Sequence, residues 1–146
     1  PAGFTVPKRS MRLRSIPGGE TTVALWVSAQ ADELTASVSY ARVPKQVREE
    51  RPPEKLLEES KRVVAKQAYY ELHSEQPVEP GPRFVVRYVV THEPPDGRRS
   101  YVRRETYFVE PFIVTVQLKG PHQKSVTGPR ATAFYESLTF AQEETP

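Results

Sequence analysis

Residues 83–110 have the sequence RFVVRYVVTHEPPDGRRSYVRRETYFVE, and this stretch decides the fold class. Apolar side chains occupy every second position of its first part, which is typical of a half-buried strand. These alternating positions are Phe84, Val86, Tyr88 and Val90. The segment Pro94-Pro95-Asp96-Gly97 follows, and Asp-Gly is a frequent pair in hairpin turns. We therefore expect two antiparallel strands, Arg83–Thr91 and Arg99–Glu110, which pair around Asp96.

Further strand candidates lie on both sides of this hairpin. Three short runs precede it in the first third of the chain, at Met11–Ile16, Thr21–Ser28 and Leu34–Val43. A moderate candidate, Tyr69–Val78, comes shortly before the hairpin. Alternation resumes after Pro111, at Phe112, Val114, Val116 and Leu118. Because most links between consecutive strands are of hairpin length, we expect a mostly antiparallel sheet.

Residues 53–68 show the period of an amphipathic helix. Its expected stripe is Leu56, Leu57, Ser60, Val63, Val64 and Gln67. On the solvent side, the spacing predicts two ion pairs, Lys55–Glu59 and Glu58–Arg62. A second, shorter helix is expected after Thr127-Gly128-Pro129. The sequence thus predicts an α+β fold, with a sheet of about six to seven strands flanked by two helices.

The length and charge of the chain limit its class. A chain of 146 residues is long enough for one domain with its own core. We place this domain at residues 10–140, after a tether or linker at 1–9 and before a polar tail at 141–146. The net charge of +3 is modest for a nucleic-acid binder. No run approaches the roughly 18 apolar residues of a membrane span, so no transmembrane segment is expected.

Motifs that carry catalysis or bind metals do not occur in the sequence. The chain has no Cys, which excludes disulfides, thiolate metal sites and cysteine nucleophiles. Its histidines, His73, His92 and His122, are isolated and lack the spacing of metal ligands. Neither a GxSxG elbow nor a GxxxxGK[ST] phosphate loop is found. We therefore expect a protein that is not an enzyme and that holds no metal and no cofactor.

One face of the predicted hairpin combines basic and aromatic side chains. Pairing around Asp96 places Arg87 opposite Glu105, and Val85 opposite Tyr107. The candidate binding residues, on the face away from the core, are Arg83, Arg87, Tyr101, Arg103 and Tyr107. Such a face could follow a phosphate backbone and stack bases. It could equally be a solvent-facing sheet surface with cross-strand Arg–Glu and aromatic pairs.

A family resemblance runs over residues 34–140. The segments that carry it are Tyr40–Pro44, Pro53–Ser60, Leu72–Val78, Glu105–Val109, Val114–Pro121 and Ala133–Phe140. Together they resemble small bacterial proteins, often exported, that have a PsbP-like fold. In those proteins a terminal F-x-x-S-[FL]-x-[FL] helix and a strand leading to Gly-Pro recur. Residues 134–140 and Gly120-Pro121 match these two features.

The resemblance implies a PsbP-like α/β/α sandwich. Relatives of this fold include a photosystem extrinsic subunit and a Ran-binding nuclear import factor, which are binding proteins without catalytic activity. Our main hypothesis is a non-catalytic binding or accessory domain that docks a protein or an envelope component. We expect it outside the cytoplasm, periplasmic or secreted, with a leader or anchor upstream of Pro1. One alternative is a cytoplasmic binder of nucleic acid or another polyanion, although nucleic acid is not the expected partner. Another is an enzyme of unknown reaction, with a site built from scattered Glu and His residues.

Overall fold

One antiparallel sheet organises the protein, whose computed structural model describes residues 8–15, 21–80 and 83–138, with side chains described for 30–80 and 83–138. The strands in these residues are β1 (Lys8–Ser15), β2 (Thr21–Ala31), β3 (Leu34–Arg42), β4 (Tyr70–Glu75), β5 (Val85–His92), β6 (Ser100–Val109) and β7 (Phe112–Gly120). Their order across the sheet is β1-β2-β3-β7-β6-β5-β4. Every neighbouring pair is antiparallel. The expected antiparallel sheet is confirmed.

Helices occur in two groups in the described part of the chain. They are α1 (Lys45–Glu50), α2 (Pro53–Ala65), α3 (Gln123–Thr127) and α4 (Pro129–Glu136). The α+β class is therefore confirmed, but the expected number of two helices is too low. The sequence predicts α2 and α4, and α2 ends at Ala65 rather than at residue 68. It does not predict α1 and α3, because each is shorter than two helical turns and shows no hydrophobic period.

The hairpin of β5 and β6 has the register that the sequence predicts. The observed pairs include Arg87 with Glu105 and Val85 with Tyr107. In the turn, the Gly97 N–H donates a hydrogen bond to the Pro94 carbonyl at 3.2 Å. A Cβ at Gly97 would lie 2.5 Å from Pro94 Cγ, so the turn requires glycine at this position.

α1 and α2 cover one face of the sheet. Leu57 and Val64 of α2 belong to a buried cluster with residues of β5 and β6, namely Val86, Tyr88, Val90 and Val102. Leu56 of α2 joins a neighbouring cluster with Val43, Val47 and Ile113. The predicted apolar stripe of the helix is therefore the surface that packs on the sheet.

α3 and α4 cover the opposite face. Their buried residues Val126, Ala131 and Tyr135 form a cluster with Leu34, Ala36, Val89, Val116 and Leu118 of the sheet. Tyr101 and Tyr107 of β6 pack against this cluster. The expectation that this face of the hairpin lies away from the core is thus wrong. Strand alternation shows which residues share a face, but it does not show that the chain returns over that face after β7.

The structure describes only a small part of the expected tether and none of the expected tail. Lys8 and Arg9, at the end of the expected tether, belong to β1. The rest of the tether, residues 1–7, and the expected tail at 141–146 lie outside the described residues. Among the helices that are described, none has the length and apolar character needed to cross a membrane.

Truncation of Leu57 tests the packing of α2 on the sheet. The Leu57 side chain is fully buried, and Lys55 on the same helix is exposed. We expect Leu57→Ala to lower the free energy of unfolding by about 2–5 kcal/mol, because it leaves a cavity. Lys55→Ala is the matched control and should change it by less than about 0.5 kcal/mol. Urea denaturation measures both, and a Leu57→Ala protein as stable as the control would contradict the assignment.

Candidate functional site

The predicted basic and aromatic residues of the hairpin surround a buried carboxylate. Glu105 is only 3% exposed. Its Oε1 accepts hydrogen bonds from Arg87 Nε at 2.8 Å and from the Tyr107 hydroxyl at 3.0 Å. Its Oε2 accepts one from Arg103 Nη2 at 3.2 Å. The Glu105 cluster, defined as Glu105, Arg87, Arg103 and Tyr107, thus gives both carboxylate oxygens a donor, as a buried charge requires.

Both arginines of the Glu105 cluster reach further than the carboxylate. Arg87 forms a second ion pair with Glu79, which precedes β5. The Arg103 guanidinium lies 4.3 Å from the ring centroid of Tyr135 in α4, a cation–π contact. The Tyr135 hydroxyl in turn donates to the Arg103 carbonyl at 2.7 Å. The cluster therefore connects the hairpin both to the segment before β5 and to α4.

The electrostatics of the cluster are those of a closed structural network. Two guanidinium groups face two carboxylates, Glu105 and Glu79, so the formal charges cancel. Burial raises the pKa of Tyr107, and the Glu105 carboxylate beside it raises this pKa further. Burial likewise raises the pKa of Tyr135. Both phenols stay neutral at physiological pH, and the Glu105 carboxylate is shielded from solvent. The Glu105 cluster therefore stabilises the fold and offers no exposed acid or base.

The five predicted site residues do not form one surface. Arg87, Arg103 and Tyr107 meet at Glu105. Tyr101 lies apart from them, with its ring edge-on to His73 at a centroid distance of 5.7 Å. Arg83 precedes β5 and is half-buried. Because two of the five side chains lie outside the cluster, the predicted set divides into separate contacts.

Sequence reasoning missed Glu79 and Tyr135. Glu79 is brought to Arg87 by an isolated bridge between Glu79 and Val85, which follows no periodic pattern. Tyr135 lies beside Phe134 in a short helix, and the hydrophobic period of this helix does not show which of the two is buried. An aromatic residue with a hydroxyl group, which needs a partner when it is buried, is the one signal that favours Tyr135.

A second feature, the β4 edge, lies at the end of the sheet. β4 pairs with β5 and has no neighbour on its other side within the described residues. The observed strand is shorter than the expected Tyr69–Val78. A bulge interrupts its pairing between Leu72 and Ser74. We use the name β4 edge for Tyr70–Glu75.

The ladder fixes which amides of the β4 edge point outward. Glu93 N–H donates to the Tyr69 carbonyl, and Gln76 N–H donates to the Arg87 carbonyl. Because inward and outward groups alternate in an antiparallel ladder, the N–H groups of Leu72 and Glu75 point away from β5. The edge thus offers main-chain donors to a further strand.

Two open depressions border α2, and one of them also borders the β4 edge. One, of about 470 Å³, lies between α2 and β4 and is lined by Glu58, Lys61, Arg62, Ala65, Leu72, Glu75, Gln76 and Pro77. The other, of about 490 Å³, lies along α2 and is lined by Pro52, Glu54, Lys55, Glu58, Glu59, Arg62 and Val78. We call the first the α2–β4 groove. It combines apolar positions with charged ones.

The ion pairs on α2 differ from those expected. Glu58 pairs with Lys61 at 2.9 Å, and Glu59 pairs with Arg51 at 3.6 Å. The expected pairs Lys55–Glu59 and Glu58–Arg62 are therefore wrong. The reason is the burial of Lys61, whose ammonium group also binds Glu75 and so joins α2 to β4. A buried ammonium group needs carboxylate partners more than an exposed guanidinium does.

Neither feature has the composition of a metal centre. The described residues contain no group of three or more His, Cys, Asp or Glu side chains placed to hold a metal ion.

Neutralising Glu105 tests the role of the cluster. We expect Glu105→Gln to lower the free energy of unfolding by about 1–3 kcal/mol, because Arg87 and Arg103 lose their charged acceptor. The control Glu110→Gln removes an exposed carboxylate that pairs with Arg48, and should cost about 0–1 kcal/mol. Chemical denaturation at neutral pH compares the two. Equal costs would show that the Glu105 cluster contributes no more than a surface ion pair.

The raised pKa of Tyr107 predicts an effect in alkaline solution. Its ordinary pKa is 10.0, so above pH 10 the unfolded chain loses the phenol proton while the folded protein keeps it. The stability that this group contributes is complete below pH 10 and falls above it, by up to about 1.4 kcal/mol per pH unit. We expect Tyr107→Phe to be less stable than the parent by about 1 kcal/mol near neutral pH.

This difference should shrink above pH 10, since the variant lacks the titrating phenol. Denaturation curves recorded across the alkaline range measure it. A difference that stays constant or grows as the pH rises would contradict the raised pKa.

Comparison with known proteins supports the fold. No family model matches the chain, and no curated protein matches it. The chain is similar to the crystal structure of PA94 from Pseudomonas aeruginosa, a protein of unknown function described as a candidate regulator. The two are 14% identical, with a TM-score of 0.57, over 90% of this chain and 98% of PA94. At this identity the chain shares with PA94 the fold alone.

Proposed function

We propose that this chain is a non-catalytic binding domain that docks an extended segment of a protein partner as an additional strand at the β4 edge. The observation that carries this proposal is the outward direction of the Leu72 and Glu75 amides beside the α2–β4 groove. In strand addition, main-chain hydrogen bonds provide affinity and pockets for alternate side chains provide specificity. The β4 edge supplies the first and the groove supplies the second.

The groove suits the alternation of a bound strand. Successive side chains of an added strand point to opposite faces of the sheet. Every second one would therefore lie on the α2 side, against Leu72 and Ala65, which line the groove. The ion pair between Lys61 of α2 and Glu75 of β4 holds the two walls of the groove together before a partner binds. A preformed groove lowers the entropic cost of binding.

We also propose a family and a compartment for this chain. The resemblance over residues 34–140 and the helices on both faces of the sheet support a PsbP-like α/β/α sandwich. We propose that the domain acts outside the cytoplasm, where it would dock a protein or an envelope component. A regulator acts by binding, so the description of PA94 is compatible with a binding domain.

The two alternatives receive less support from the geometry. A polyanion binder was expected to use Arg87 and Arg103, but both pair with the buried Glu105. An enzyme was expected to use a site of scattered Glu and His residues. The one deeply buried carboxylate of the described residues, Glu105, already accepts three hydrogen bonds.

Amide exchange tests strand addition at the β4 edge. Peptides selected against the folded protein from a displayed library of random decapeptides serve as probes, and exchange is followed by NMR. We expect the Leu72 and Glu75 amides to exchange quickly in the free protein. With a selected peptide at 100 times its Kd, their exchange should slow by about 100-fold. The Glu71 and Ser74 amides, which face β5, are internal controls because they are protected in both states.

Either of two results would overturn the proposal. One is selected peptides that protect β1 or a helix and leave the Leu72 and Glu75 amides unchanged. The other is a library that yields no binder in repeated selections, while a known strand-binding domain yields binders in parallel.

A further inference from the structure

Among the side chains that the structure describes, two half-buried cations of the sheet have no carboxylate partner. Other buried or half-buried cations form ion pairs, namely Arg48, Arg51, Lys61, Arg87 and Arg103. Arg104 of β6 and Lys119 of β7 are also half-buried, yet neither forms an ion pair with a described residue. Removing a charge from water is costly unless an opposite charge compensates it. No described carboxylate therefore compensates the charges of Arg104 and Lys119.

The side chain between them offers a further donor. Arg104 lies opposite Gln117 in the register of β6 and β7, and its Nε donates to Gln117 Oε1 at 2.9 Å. Because a guanidinium can only donate, this bond turns the amide oxygen of Gln117 towards Arg104 and leaves the amide NH₂ group as a donor. Lys119 lies two residues further along β7, on the same face. Arg104, Gln117 and Lys119 together present several hydrogen-bond donors on this face.

The surroundings of these three residues supply hydroxyl groups rather than carboxylates. The flanking residues on this face of β3, β6 and β7 are Thr35, Ser37, Ser39, Val102, Thr106 and Thr115. Ser37 lies opposite Gln117, and its buried hydroxyl has no hydrogen-bond partner in the described part of the structure. The positive charge of Lys119 also acts on His92, whose pKa is lowered by burial first and by this charge second. An uncompensated positive field thus remains at this face.

We infer that Arg104, Gln117 and Lys119 form a binding site for a phosphate-type oxyanion, separate from the β4 edge. The guanidinium fork matches two oxygens of such an anion, and the ammonium group can bind a third. Adjacent strands and alternate residues place the side chains about 5–8 Å apart, which a tetrahedral oxyanion can bridge. A bound anion would supply the missing negative charge.

Calorimetric titration with inorganic phosphate tests this inference. The titrations are made at constant ionic strength, with sodium chloride as the ionic control. We expect saturable phosphate binding that weakens by about tenfold or more in Lys119→Gln and in Arg104→Gln, since each removes a charged donor. Arg98→Gln is the matched control, because it removes an exposed cation from the β5–β6 turn. It should leave phosphate binding unchanged.

A second variant introduces a negative charge into the proposed site. Gln117→Glu places a carboxylate opposite Arg104, where it can act as an internal anion. In the absence of phosphate, we expect this variant to have a higher Tm than the parent. We also expect it to bind phosphate at least about tenfold more weakly. Glycerol 3-phosphate, tested in parallel, distinguishes a site for phosphate esters from a site for the free ion. Binding of the ester and binding of the free ion alone would each support an oxyanion site.

Three results would overturn the inference. The first is a heat signal with phosphate that equals the signal with chloride. The second is saturable binding that Lys119→Gln and Arg104→Gln leave intact. The third is a Gln117→Glu protein that binds phosphate as tightly as the parent.

Discussion

The carboxylate of Glu105 lies inside the protein, and the groups that neutralise it determine how distant parts of the chain meet. Arg87 approaches it from the neighbouring strand β5, Arg103 approaches it from its own strand β6, and Tyr107 completes its hydrogen bonds. Each arginine then holds a second element, the segment at Glu79 or the helix of Tyr135. A buried charge tolerates few arrangements, because an unpaired one is strongly unfavourable. The position of α4 and the path of the chain before β5 therefore depend on the same side chain.

Coverage of the sheet decides where a partner can bind. The central strands β5, β6 and β7 carry α1 and α2 on one face and α3 and α4 on the other. Their main-chain groups are paired on both sides, so these strands offer no open backbone edge. The two sites that we propose are the β4 edge and the part of the α2 face where Arg104 and Lys119 lie. The two surfaces differ in chemistry, since one presents backbone amides and the other presents cationic side chains.

Local patterns in the sequence predict the strands, the long helix and the hairpin register. The Asp96-Gly97 turn suffices to place Arg87 opposite Glu105, because a short turn fixes which residues pair. The alternation of β5 does not predict that α3 and α4 cover this face. It therefore could not show that Arg103 and Tyr107 face a core cluster. The ion pairs of α2 depend likewise on the burial of Lys61, which only the contact with β4 reveals. What the sequence misses is a set of long-range contacts, and these have no local signal.

The bulge in β4 has a consequence for the protein at high concentration. An open strand edge is a template for self-association, and growth along it can proceed without limit when the strand is regular. The extra residue between Leu72 and Ser74 breaks the alternation of the edge, so a second copy can pair with only a short stretch on either side. The exposed Glu71 adds charge repulsion between copies. A strand edge with this bulge can accept a short segment, but it is a poor template for continuous growth of a fibril.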